Sequence, residues 1–157
     1  MTYVPVTPFR RTVDAVLIEH QKYGQAPLPP EGVNKREALR ELTAARTAFG
    51  LTDRELGVLQ ALLSFHPETI LGGNSDNLLV YPSNAAICER LNGMACSTMR
   101  RHLSGLVRSG MILRRDSPNG KRYVKRHGGE DQAFGFDLTP LAVRFAEICE
   151  KAEAVRA

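Results

Sequence analysis

No apolar run in the chain approaches the length of a membrane span, and no charged-then-apolar leader opens it, so nothing reads as a transmembrane helix or secretory signal. Cysteine is scarce. Cys88, Cys96 and Cys149 are odd in number, widely spaced and without zinc-type pairing, which points to a reduced, cytoplasmic compartment. Cys96, close to a helix start, reads as a quiet helical cysteine rather than a reactive one. The four histidines, His20, His66, His102 and His127, are isolated, so no paired-histidine metal site for cutting DNA is offered. His66 in particular, beside Pro67 at a helix end, reads as a structural surface residue. The phosphate-binding pattern G-x-x-x-x-G-K-[ST] is missing, which excludes an evident ATPase motor. Nor does any serine, cysteine or tyrosine have a base set beside it in sequence. These absences predict a binding protein rather than an enzyme, with no cofactor and no metal.

What remains is one ordinary domain's worth of chain, 157 residues with 43% apolar content. Its net charge of +4 says little until the charge is located. From Arg100 to Arg126 there are nine Lys or Arg against one acid, Asp116, so this segment carries +8 and the remainder −4. A neutral-to-acidic body with one basic edge is the footprint of a nucleic-acid face. A membrane-surface patch would set its basic residues on a mobile helix with bulky apolar residues opposite. Here they straddle a turn, which favours DNA and argues against a membrane.

The basic edge belongs to a recognisable succession of elements. Ser83 caps a helix over residues 84–91, and Asn92-Gly93-Met94-Ala95 forms a tight turn. A second helix covers 96–109 and stops at Gly110. An apolar-then-basic strand at 111–115 turns at Asp116-Ser117-Pro118-Asn119-Gly120 and returns over 121–126. The fold class is therefore mainly α with a small β wing, a winged helix-turn-helix. At 100° per residue Met99, Leu103, Leu106 and Gly110 share one stripe of the second helix, with Val107 at its edge. Ser97, Arg101, Ser104 and Arg108 lie opposite, with Thr98 and Arg100 on the flanks. A solvated charged face is the bland reading of such a helix; the basic hairpin beside it tips the balance toward DNA.

The rest of the chain supplies an arm, a scaffold and a tail. Residues 1–33 hold five of the nine prolines and read as an extended arm, with a short helix at 12–20 and Arg10-Arg11 free to touch phosphate or the protein's own surface. A helix over 35–49 follows Asn34 and ends at Gly50. Thr52 and Glu55 form a capping box for the next, whose Leu56, Leu59, Leu62 and Leu63 supply core. Residues 78–81 and 133–137 read as strands. Thr139 caps a last helix with Pro140 at its first position. Its stripe of Leu141, Phe145, Ile148, Ala152 and Val155 packs on the core or, in the alternative, makes a homodimer seam. The helix reaches Ala157 without a stop signal, as a helix leading into more protein would. Three parts result: a proline-rich arm at 1–33, the DNA-binding domain at 34–138, and the last helix at 139–157.

Several of these stretches resemble the RepC replication initiators of RepABC-type plasmids and secondary chromosomes of alphaproteobacteria. The likeness is carried by Leu62-Leu63-Ser64-Phe65-His66-Pro67, Pro82-Ser83-Asn84, Gly93-Met94, Thr98-Met99-Arg100-Arg101-His102-Leu103, the run Arg114 to Tyr123, and Ala133-Phe134-Gly135-Phe136-Asp137-Leu138. It covers most of residues 35–157. Around position 96 the chain departs from the family, whose members tend to carry alanine or an acid there. The resemblance implies a bacterial protein that binds double-stranded DNA at a plasmid origin lying within the initiator's own coding sequence, and that starts replication. It also implies a family member more than twice this long, of which this is the N-terminal, DNA-binding part. Unwinding would then fall to bound geometry, to a C-terminal part or to recruited host replication machinery.

The expected DNA-binding residues are Ser97, Thr98, Arg100, Arg101, Ser104 and Arg108 on the helix, and Arg115, Asn119, Lys121, Arg122 and Lys125 on the wing. Arginine can hold guanine O6 and N7 with two hydrogen bonds, and serine or threonine can bond most base edges or phosphate. Wing cations suit phosphate or a narrow A·T-rich minor groove. Arg114 and Arg115 alternate across their strand, so one of them faces DNA. The competing reading on the same fold is a winged-helix transcriptional regulator, which would show a ligand pocket or dimerise firmly through its last helix.

Overall fold

Asn34 starts the first helix as an N-cap: its side-chain oxygen accepts from the backbone N–H groups of Arg36 at 2.9 Å and Glu37 at 3.1 Å. The computed structural model describes residues 19–73, 78–115 and 135–157. Helix α1 (Lys35–Ala44) is shorter than its sequence pattern suggests. Its continuation tightens into a 3-10 turn, Arg46–Phe49, which ends where Gly50 adopts a left-handed conformation with φ of 69°. The short helix expected at 12–20 lies, but for its last two residues, outside the described segments.

Helix α2 (Asp53–Leu63) opens on the expected capping box. Glu55 N–H donates to the Thr52 hydroxyl at 3.2 Å, and Thr52 N–H donates back to the Glu55 carboxylate at 2.9 Å. Leu56, Leu59, Leu62 and Leu63 are all buried. At the far end the Lys35 ammonium donates to the carbonyls of Leu63 at 2.9 Å and His66 at 2.5 Å, a cation on the negative end of the helix. His66 itself is not on the surface. It is 4% exposed, with Nε2 3.4 Å from the Ile70 carbonyl. The reason is topological: β2 (Ile70–Leu71) runs back to pair antiparallel with β1 (Val33–Asn34), Val33 opposite Leu71, and so folds the helix end under.

Among the described residues the second sheet holds three antiparallel strands, β3 (Leu79–Val80), β4 (Leu113–Arg115) and β5 (Gly135–Asp137), in the order β3-β5-β4. The last strand in sequence is thus the central one. Phe136 stands opposite both Val80 and Arg114 and is 1% exposed. The return strand expected at 121–126 lies outside the described residues, and within them the neighbour of β4 is β5. Between β3 and β4 come α3 (Asn84–Arg90) and α4 (Cys96–Ser109).

The tail is two helices, not one. Helix α5 (Thr139–Val143) begins a residue earlier than expected. Thr139 lies inside it and the N-cap is Leu138; the Asp137 carboxylate, one residue further back, accepts from the first N–H of the helix, that of Thr139, at 2.9 Å. The helix is interrupted at Arg144 and resumes as α6 (Phe145–Arg156). Leu141, Ile148 and Ala152 are fully buried and Phe145 packs against the core, whereas Val155 is 54% exposed. The apolar stripe of the tail is therefore packed within the chain as far as Ala152, and Arg156 ties α6 to Glu41 of α1 at 2.9 Å. Full burial of a large aliphatic side chain is worth about 1.5–3 kcal/mol, against ~0–1 for an exposed ion pair. Leu59, Leu62, Ile87, Met99, Leu106, Ile112 and Phe136, each at most 1% exposed, thus hold the layers together far more than the surface charges do.

Candidate nucleic-acid interface

Helix α4 is positioned at both ends and along one side. At its start, Ser83 caps the preceding α3 by accepting from Ala86 N–H at 3.1 Å, and α3 gives way to a corner at Asn92 and Gly93. Both corner residues are left-handed, with φ of 61° and 79°. A Cβ at Gly93 would meet nothing, so backbone conformation and not space calls for glycine there. The N-cap of α4, Ala95, offers no side-chain acceptor. At the other end Gly110 is left-handed (φ 78°), and a Cβ on it would stand 2.8 Å from the His20 ring.

Along the buried side, Met99, Leu103 and Leu106 fill the stripe expected of them, with Val107 packed at its edge. Gly105 is buried as well. A Cβ there would stand 2.8 Å from Cδ of Glu55 and closer still to its carboxylate oxygen, so α4 lies directly on the capped turn that begins α2. The absence of a side chain at Gly105 is what permits that approach.

The opposite side is open. Ser97, Arg100, Arg101 and Arg108 are exposed, and Thr98 and Ser104 are half-buried. None of the three arginines makes an ion pair with a described residue. Three exposed guanidinium groups with hydroxyls between them can hydrogen-bond a polyanion and its adjoining polar edges. On β4 the two arginines part company. Arg114 is exposed, whereas Arg115 turns to Asp137 with Nε and a terminal nitrogen each 3.3 Å from one carboxylate oxygen. Arg115, the residue expected to face DNA, is thus engaged with the same carboxylate that accepts from the first N–H of α5. Asn119, Lys121, Arg122 and Lys125 fall in residues 116–134, outside the described segments.

The residue that sequence reasoning missed is Arg144, 8% exposed. One of its terminal nitrogens donates to the carbonyls of Ser109 at 3.0 Å and Gly110 at 3.2 Å, the last residue of α4 and its C-cap. Its other nitrogens grip the Glu147 carboxylate at 2.9 and 3.0 Å, which holds that carboxyl below the ordinary range. The guanidinium also lies over the rings of Tyr23, 4.6 Å away, and Phe49, 5.2 Å away. The one available signal was an arginine interrupting the apolar run Leu141-Ala142-Val143-Arg144-Phe145. Nearby, burial and then the Arg144 charge push the His20 imidazole below its ordinary value, and its Nδ1 is buried without a described partner.

The family model described as the Replication protein C N-terminal domain matches residues 10–157. A curated protein of Rhizobium rhizogenes, provisionally named replication protein C, is 43% identical over 154 residues, 96% of this chain and 38% of its own length. One of Sinorhizobium fredii, named likewise, is 41% identical over 153 residues, again 96% of this chain and 38% of its own. The chain therefore spans little more than a third of these relatives. No solved structure matches.

Proposed function

The chain belongs to the replication protein C family, as its N-terminal domain, and from that premise we propose that residues 34–138 form a winged helix-turn-helix that binds double-stranded DNA at a plasmid replication origin. Helix α4 enters the major groove, with Ser97, Thr98, Arg100, Arg101, Ser104 and Arg108 reaching base edges and adjoining phosphates. Of the two strand arginines, Arg114 takes the contact first assigned to Arg115, because its guanidinium is the exposed one. Asn119, Lys121, Arg122 and Lys125, between β4 and β5 in sequence, take phosphate or the minor groove. Origin binding by this domain begins plasmid replication; unwinding belongs to the longer protein or to recruited host machinery.

The observation that carries the reading is the division of α4. Met99, Leu103 and Leu106 are at most 2% exposed, while Arg100, Arg101 and Arg108 stand open on the helix without described ion partners. A buried stripe this well packed holds the helix rigidly. Arginines presented on a rigid helix meet a duplex with little backbone freedom left to lose.

Fluorescence anisotropy tests it, comparing an A·T-rich duplex from this protein's own gene with a shuffled duplex. The gene-derived duplex binds at least about a hundredfold tighter, in keeping with the margin of specific over non-specific sites. Arg101→Ala loses that preference. The salt dependence has a slope of about −4 to −8, roughly one for each phosphate contact. Equal binding of both duplexes by wild type and Arg101→Ala alike would remove sequence reading from α4.

A further inference from the structure

The fold brings together two cysteines that the sequence sets eight positions apart. Cys88 lies on the last full turn of α3 and is 6% exposed; Cys96 is the first residue of α4 and is half-buried. The corner at Asn92 and Gly93 reverses the chain between them, and their Sγ atoms stand 2.8 Å apart, hydrogen-bonded and both free thiols. A disulfide bond is about 2.05 Å long, so the two sulfurs need approach each other by less than about 1 Å to form one. Cys149, on α6, has no such neighbour among the described residues.

The two sulfurs differ in a way that orders the chemistry. Burial, followed by the hydrogen bond from its partner, pushes the Cys88 thiol up to about 11, with the Arg100 charge pulling weakly the other way. Cys88 is therefore protonated and shielded, and Cys96 is the sulfur an oxidant meets first. The second sulfur is already within bonding reach when the first is oxidised. That arrangement favours closure of a bridge over further oxidation of Cys96.

We propose that Cys88 and Cys96 form a reversible dithiol–disulfide pair, oxidised by hydroperoxide, that fastens the end of α3 to the start of α4. The Cys96 sulfur attacks a peroxide oxygen, which breaks the O–O bond and yields a sulfenic acid and water. The Cys88 sulfur then attacks the Cys96 sulfur, the S–S bond forms, and the hydroxyl leaves as a second water with the Cys88 proton. Two thiols and one hydrogen peroxide thus become one disulfide and two waters, and a small-molecule dithiol reverses the change. The bridge closes a nine-residue loop from Cys88 to Cys96 and immediately precedes Ser97 and Thr98. Its chemistry does not rest on the reading of α4 as a DNA-binding helix.

The test treats the whole chain with hydrogen peroxide, blocks remaining thiols with a maleimide under denaturing conditions, and weighs the intact protein. The expected product carries one maleimide, on Cys149, in place of three, and before blocking is lighter by about 2 Da, the two hydrogens lost. Dithiothreitol restores all three sites. Oxidised protein melts about 5 °C above reduced protein, as a short-loop cross-link that fits its site requires. In C96S neither the mass loss nor the melting shift occurs. Three maleimides after peroxide, a sulfinic acid on Cys96 with Cys88 still free, or covalent dimers in place of the internal bridge would each overturn the proposal. The wild-type mass result decides the matter even where C88S, which alters a buried position, fails to fold.

Discussion

Arg144 closes the C-terminal end of α4: its guanidinium donates to the Gly110 carbonyl at 3.2 Å and to the neighbouring Ser109 carbonyl at 3.0 Å. Free carbonyls at a helix end carry partial negative charge, and a buried cation there both satisfies them and fixes where the helix stops. The same guanidinium is braced by Glu147 and by the rings of Tyr23 and Phe49, so the end of α4 is held by residues from three other parts of the chain.

Arg144→Ala should therefore destabilise the protein by about 2–3 kcal/mol, because it strips one buried and one part-buried carbonyl and a half-exposed carboxylate of their partner together. Arg144→Lys, which keeps the charge but not the fork, should cost about half as much. Urea unfolding gives both numbers. Equal stability of wild type and Arg144→Ala would mean that the end of α4 is held by packing alone.

A pH dependence follows from His20 and Glu147, which share this cluster with Glu19 and Lys22. The folded protein holds the His20 imidazole below its ordinary 6.5, mainly through burial and then through the Arg144 charge. A lowered folded value means the unfolded chain takes up the proton first. Stability is thus complete above about pH 6.5 and declines as pH falls toward the lowered value. Glu147, lowered chiefly by its bonds from Arg144, adds a second loss that begins below its ordinary 4.5. The urea midpoint should drop between pH 8 and pH 5.5 in wild type. It should drop less in His20→Gln, and a parallel decline in the two proteins would assign the effect to other groups.

Much of this architecture follows from local pattern. The buried stripe of α4, its stop at Gly110 and the Thr52–Glu55 box are set by neighbours within a turn or two, and each appears where spacing puts it. What periodicity cannot convey is which distant element arrives on top. Arg144 looks like any arginine on a helix until α4 ends beneath it, and His66 looks exposed until β2 folds back over the end of α2. The cysteines on α3 and α4 read as unrelated because their meeting depends on the angle of the corner between them. Arg115 illustrates the limit at the interface itself. Strand alternation said that only one of the two arginines faces outward, but the choice between them rests on Asp137, twenty-two residues away.

Two glycines offer a paired test of the packing around α4. At Gly57, on α2, an added Cβ meets nothing within 4 Å. Gly57→Ala should therefore stabilise by about 1 kcal/mol through helix propensity alone. Gly105→Ala enjoys the same propensity gain, but its Cβ displaces the Glu55 side chain and breaks the capping box, a loss of about 1 kcal/mol or more. It should come out neutral to destabilising in wild type and become stabilising in Glu55→Ala. A double-mutant cycle by urea unfolding measures that coupling. Additive effects would mean that α4 does not rest on the Glu55 turn.

Arg114 and Arg115 should separate binding from stability. Arg115 shares its charge with Asp137, whose carboxylate is 9% exposed, while its own side chain is 39% exposed. Arg115→Ala should cost about 1 kcal/mol of stability, a value reduced from that of a fully buried pair by the solvent at the arginine. Arg114 is exposed, so Arg114→Ala should leave the unfolding midpoint unchanged. On a duplex the pattern reverses under the proposed function. Arg114→Ala should lower the magnitude of the salt slope by about 1, as loss of one phosphate contact does, and should weaken all sequences alike. Arg115→Ala should leave the slope nearly intact. If Arg115→Ala instead carries the loss of slope while Arg114→Ala is silent, the inner arginine leaves Asp137 for the duplex, and the strand presents its other face to DNA.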